Sequence, residues 1–81
     1  MKAEIHVTLK TEVLDPQGDA VRRALSALDI HGVGEVRVGK LIEVQLDADS
    51  EEVAREQVVK MCEGLLANPV IEDYAFTLHE S

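Results

Sequence analysis

Apolar and polar residues alternate over the first nine positions, with Ala3, Ile5, Val7 and Leu9 on one side and Glu4, His6 and Thr8 on the other. A period of two predicts a half-buried strand over residues 3–9. Asp15-Pro16 then supplies a helix N-cap followed by proline at the first helical position, where its missing N–H costs nothing. Val21, Leu25 and Leu28 recur at i, i+4 and i+7 with Ala24 beside them, so one stripe of this helix faces a core, and Gly32 ends the unit. Alternation returns through Val36 and Val38 and again through Ile42, Val44 and Leu46. A two-residue loop at Gly39-Lys40 would put Val36 on the face of Glu43. A three-residue loop, Gly39-Lys40-Leu41, pairs Val38 with Ile42 and Val36 with Val44, so a hairpin with the longer loop is expected between strands at 33–38 and 42–46.

Asp49 with Glu52 three residues later resembles a capping box, and the acids Asp47, Asp49, Glu51 and Glu52 suit the positive end of a helix dipole. The stripe Ala54, Val58, Met61, Cys62 and Leu65 marks the core side of this second helix. Pro69 stops it, because its ring disfavours helical backbone at Asn68 and it has no N–H to donate. A last strand is expected from Val70 through Tyr74, Phe76 and Leu78, with Glu80-Ser81 frayed. The order strand, helix, strand, strand, helix, strand is the split βαβ pattern of an α+β, ferredoxin-like βαββαβ domain over residues 1–81. Right-handed crossovers give it a four-stranded antiparallel sheet with both helices on one face. The other face is expected to carry His6, Thr8, Glu35, Arg37, Glu43, Gln45, Asp73, Ala75 and Thr77.

A chain of 81 residues buries only about 60% of its unfolded surface, and a core that small gains from a partner. Sixteen acidic against eight basic side chains leave a net charge of −8, which disfavours nucleic acid and anionic membranes. No apolar run approaches the roughly 18 residues that span a bilayer, and Met1-Lys2-Ala3-Glu4 is no signal peptide, so a cytoplasmic, unprocessed protein is expected. The single Cys62 agrees with a reducing compartment.

Reactive chemistry is hard to assemble from these residues. His6, His31 and His79 lack helical-spaced partners or a Cys pair, so no metal site is expected. Cys62 sits in an apolar stripe with no His at helical spacing and reads as a small buried hydrophobe. The pairs Glu51-Glu52 and Glu72-Asp73 point their carboxyls in different directions. The segment after the first strand, Lys10-Thr11-Glu12-Val13-Leu14, has neither the arginine nor the glycines of an acylphosphatase loop. Gly32-Val33-Gly34 follows a helix and opens a strand, the reverse of a dinucleotide fingerprint. The central strands also lack the aromatics of an RNA-recognition surface.

Three segments remain that a plain scaffold does not require: Val13-Leu14-Asp15-Pro16-Gln17-Gly18, Val36-Arg37-Val38-Gly39-Lys40, and Leu66-Ala67-Asn68-Pro69-Val70-Ile71-Glu72-Asp73-Tyr74. In this order and spacing they resemble the PurS family, the small subunit of phosphoribosylformylglycinamidine synthase, over essentially the whole chain. The resemblance implies a non-catalytic subunit, typically dimeric, of the complex that converts formylglycinamide ribonucleotide to the amidine in purine biosynthesis. Glutamine is the nitrogen donor, and ATP and magnesium are used by the large synthetase subunit, with no cofactor in the small one. The small subunit would bridge the glutaminase and synthetase subunits and support ammonia transfer. On that view Gln17, Arg37, Lys40, Asn68, Glu72, Asp73 and Tyr74 are partner contacts, with Arg37 and Lys40 at a hairpin tip. Asp15, Pro16, Gly18, Gly39 and Pro69 shape the backbone. A small-molecule-binding regulatory domain of the ACT type shares the element order and is the alternative; no single residue selects it.

Overall fold

The computed structural model describes residues 1–80, and Ser81 lies outside the described residues, so the fraying expected of Glu80-Ser81 is not assessed there. The elements are β1 (Lys2–Leu9), α1 (Pro16–Ala27), β2 (Gly39–Gln45), α2 (Glu51–Met61), a π-helical turn (Cys62–Leu66) and β3 (Glu72–His79). The architecture is α+β, with two helices and a three-stranded antiparallel sheet in the order β2-β1-β3. Central β1 pairs with both neighbours: Ile5 lies opposite Ile42 and Phe76, and Ala3 opposite Val44 and Leu78. The alternation of β1 therefore fixes the face of the whole sheet. Ala3, Ile5 and Val7 are at most 1% exposed, whereas His6 and Thr8 point out.

One helix covers that face. Ala54, Val58 and Cys62 are fully buried and form the core with Ala3, Ile5, Val7 and Ala67, flanked by partly buried Ile42, Val44, Leu46, Leu66, Tyr74, Phe76 and Leu78. The cap of α2 is Ser50, whose Oγ accepts from Val53 N at 3.2 Å, so the capping box expected at Asp49 falls one residue early. A longer hydrogen bond, from Ala67 N to Cys62 O at 3.0 Å, winds the π turn that follows. The extra residue rotates the helix's phase: Leu66 and Ala67 turn inward, while Leu65, expected in the core stripe, is 83% exposed.

Residues 33–38 correct the expected topology. They belong to no strand, and Gly39, Lys40 and Leu41, expected as a hairpin loop, lie inside β2, paired with Thr8, Val7 and His6. A Cβ on Gly39 would stand 2.7 Å from Val7 O, so this glycine is packed against β1 rather than bent at a turn. The segment runs past the end of β1, and α1 goes with it. Gly18 is the sole buried residue of α1; Val21 is 41% and Leu28 69% exposed. The second helix expected on the sheet is thus an outlying arm. A radius of gyration of 16.2 Å exceeds the roughly 12 Å of a compact chain of this length.

Val58→Ala is expected to destabilise the protein by about 1.5–3 kcal/mol through lost burial, and Leu65→Ala by no more than about 0.5 kcal/mol. Equilibrium denaturation of the two variants checks the π-turn phase, because a regular helix would make Leu65 costly.

Candidate functional site

The segments singled out in the sequence meet at one end of the sheet, where β1 ends, α1 and β2 begin and the chain re-enters through β3. Asp15 organises the junction. Its backbone is extended, as an N-cap requires, and one carboxylate oxygen accepts from Gly18 N at 2.9 Å. The other oxygen accepts from Val38 N at 2.7 Å, so a single side chain caps α1 and ties it to the segment that leads into β2. These two backbone donors hold the carboxyl below its ordinary value of 3.8, against the opposing effect of desolvation. Asp15 is 5% exposed.

Gly18 and Arg37 close the same joint. A Cβ at Gly18 would fall 2.0 Å from Val36 O, so the helix and the segment before β2 approach more closely than any side chain would allow. Arg37 donates to Lys10 O at 2.7 Å and Val13 O at 2.9 Å, which fixes the loop between β1 and α1. This corrects the expectation that Arg37 sits at an exposed hairpin tip: its guanidinium is an internal clamp on carbonyls that no helix or strand satisfies.

Around the re-entrant turn the polar groups are satisfied locally. Asn68 accepts from Val70 N through its side chain at 3.1 Å and from Glu72 N through its carbonyl at 2.7 Å, and Glu72 Oε1 accepts from Asn68 N at 2.7 Å. Pro69 sits at the top of this reciprocal loop, and the strand begins at Glu72, two residues later than expected from Val70. Lys10 Nζ lies 2.6 Å from Asp73 Oδ1, a hydrogen bond that raises the lysine's pKa. Lys40 Nζ is 3.7 Å from Glu72 Oε2. The Glu63 carboxylate beside the Tyr74 hydroxyl, together with desolvation, pushes the phenol's pKa up.

A cleft of about 320 Å³ between these elements is lined by Val7, Leu9, Asp15, Gln17, Val38, Gly39, Lys40 and Glu72. It gathers five of the residues named from the sequence: Asp15, Gln17, Gly39, Lys40 and Glu72. Arg37, Asn68, Asp73 and Tyr74 stand outside it, as do Pro16, Gly18 and Pro69. Missing from the sequence reading was Lys10, whose backbone and side chain hold the β1 end to β3 and to Arg37; only its position at a strand end could have marked it.

The arrangement does not resemble a reaction centre. Both Asp15 oxygens are engaged by backbone N–H groups, and Cys62 is buried, with burial the main cause of a thiol pKa above its ordinary 9.0. Deprotonation is thereby disfavoured where a nucleophile would need it.

Two outcomes are expected from the joint. Gly18→Ala should cost about 1–3 kcal/mol by driving a methyl against Val36 O, and Arg37→Ala about 1–3 kcal/mol by stranding the Val13 carbonyl and leaving Lys10 O with the Val13 N–H alone, both read from denaturant unfolding. Because the Asp15 pKa is lower in the folded state, its contribution is present above the unfolded value near 3.8 and lost as pH falls toward the folded value. Melting temperature should therefore drop more steeply below pH 4 in the wild type than in Asp15→Asn; parallel profiles would remove Asp15 from this role.

Residues 2–80 match the family model described as PurS: phosphoribosylformylglycinamidine (FGAM) synthase. A PurS subunit from Synechocystis is 50% identical over 74 residues, covering 91% of this chain and 74% of the relative. The crystal structure of PurS from Methanocaldococcus jannaschii, described as one of the subunits of formylglycinamide ribonucleotide amidotransferase, superposes with a TM-score of 0.89 at 40% identity, covering 99% of this chain and 96% of that one. A chain of the PurLQS structure from Thermotoga maritima does so with a TM-score of 0.86 at 38% identity, over 94% and 93%. Matched from end to end in both sequence and backbone, the chain belongs to the PurS family, the small subunit of phosphoribosylformylglycinamidine synthase.

Proposed function

We propose that the chain is a small non-catalytic subunit of phosphoribosylformylglycinamidine synthase in purine biosynthesis, associating with copies of itself and bridging a glutaminase subunit and a large synthetase subunit. The observation that carries this is the near-complete likeness to a chain of the PurLQS structure. The physical need for a bridge is clear. Ammonia freed into water at neutral pH is mostly protonated and no longer a nucleophile, so the site that releases it and the site that consumes it must be held in protected alignment.

The local chemistry suits alignment better than reaction. The carboxylates around the cleft serve caps and ion pairs, the joint of Asp15, Gly18 and Arg37 is stiff, and no helix among the described residues is long and apolar enough to cross a membrane. ATP and magnesium then act on the large subunit, no cofactor belongs to this one, and the complex works in the cytoplasm. Gln17, Lys40, Asn68 and Asp73 are exposed at this end of the molecule and are the candidates for contacts with other chains. Glu72 and Tyr74 are half-buried and support them from within.

The reading is tested by reconstituting the three subunits and then omitting this one. Glutamine-dependent amidine formation should fall to background, while formation from a high concentration of ammonium salt persists, since the synthetase chemistry is elsewhere. Undiminished glutamine-dependent activity without this chain would defeat the proposal.

A further inference from the structure

The sheet ends at β3, which pairs with β1 alone and is open on its other side. Its eight residues run in unbroken register from Glu72 to His79, with no proline, lysine, arginine or bulge to blunt the edge. Which amide groups face outward follows from the ladder. Lys10 N donates to Ile71 O at 2.9 Å, one step beyond the Leu9–Glu72 pair, and bonded and non-bonded pairs alternate along antiparallel strands. Asp73, Ala75 and Thr77 therefore turn their N–H and C=O groups to β1, and Tyr74, Phe76 and Leu78 turn theirs outward. Those same three have side chains only partly buried against the core. Open backbone and half-covered apolar side chains thus belong to one row.

A wall formed by α2 and the π turn borders this row. The Arg55 guanidinium lies 5.5 Å from the centre of the Phe76 ring, and the Glu63 carboxylate sits beside the Tyr74 hydroxyl. These two contacts place Arg55 and Glu63 on the β3 side, with Glu52, Glu56 and Val59 at helical spacing along the same stripe. Glu52, Arg55, Glu56 and Val59 line a shallow hollow of about 400 Å³ there. Arg55 is engaged by Glu51 at 3.2 Å, whereas Glu52 and Glu56 form no ion pair among the described residues. The wall is anionic.

We infer that this edge takes an antiparallel strand from a different polypeptide, an extended segment with apolar side chains at alternate positions and lysine or arginine within reach of Glu52 and Glu56. Residues of that segment opposite Tyr74, Phe76 and Leu78 exchange backbone hydrogen bonds with them. Their side chains then fall on the α2 side of the sheet, where apolar ones cover the half-open row. Cations beside them meet the carboxylates of the wall. Charge selects a different chain over a second copy. Two copies joined edge to edge about a two-fold axis would set Glu52, Glu56 and Glu63 of one stripe against the same three of the other, on protomers that each carry a net charge of −8.

This inference rests on the reading of the chain as a bridging subunit and names the surface by which one of the two larger subunits grips it. Amide hydrogen exchange of the full chain tests it, alone and in the reconstituted three-subunit complex. In the complex the amides of Tyr74, Phe76 and Leu78 should exchange at least about tenfold more slowly than in the isolated chain, while those of Asp73, Ala75 and Thr77, bonded to β1 in both, change less. Unchanged rates at the first three in an assembled complex overturn the inference and leave bridging standing. Protection of these amides that rises with the concentration of the isolated chain gives the edge to a second copy and overturns it as well. The exposed pair Glu52→Lys/Glu56→Lys should fold as the wild type does and bind the larger subunit at least about tenfold more weakly at low salt. Binding equal to wild type overturns the cationic partner. A wild-type chain that joins neither larger subunit overturns this inference and the proposed function together.

Discussion

Everything in the molecule hangs on β1 lying between two strands and under one helix. Its three inward residues, Ala3, Ile5 and Val7, are the centre of the core, and β2 and β3 are placed only by their ladders to it. Such a core is small. α2 contributes Ala54, Val58 and, at its end, Cys62, and none of these is large, so helix and sheet pack closely but exclude little water. Val21, Ala24, Leu28 and Leu65, which the sequence marks for burial, find no cover within one chain.

Polar contacts take over where the core stops. Asp15, Gly18 and Arg37 fasten α1 and the approach to β2 through backbone groups, and Lys10 and Asn68 fasten the re-entry of β3. Bonds of this kind are directional. They fix the angle of the arm in a way that apolar contact would not, because a carboxylate shared between a helix N-terminus and a strand N–H tolerates little displacement. A polar joint also leaves the apolar stripe of α1 free to be buried elsewhere.

The proposed bridging role needs that combination. Rigid segments at one end present Gln17, Lys40, Asn68 and Asp73 in fixed relation, while the core below keeps Cys62 buried. The same residues that looked from the sequence like contact positions divide in three dimensions into two kinds. Arg37 acts inward, on carbonyls of its own chain, and Asp73 acts outward with only Lys10 to hold it.

By itself the sequence determined the face of β1, the Asp15-Pro16 start of α1, the core stripe of α2 as far as Cys62, and the stop before β3, because each rests on neighbours a few residues apart. It also carried the motifs that mark the family. The partner of residues 33–38 could not be read there. An odd loop of three residues keeps the parity of alternation, so Val36, Val38, Ile42, Val44 and Leu46 describe a hairpin and a straight run into β2 equally well; the packing of Gly39 against Val7 decides between them. Leu65 was illegible for a related reason, since one π turn shifts the phase of a helix without altering the apolar spacing before it. Gathering Asp15, Gln17, Lys40 and Glu72 around one cleft was likewise left to the tertiary structure, which brings together positions up to 57 apart in the chain by running β1 antiparallel to both its neighbours.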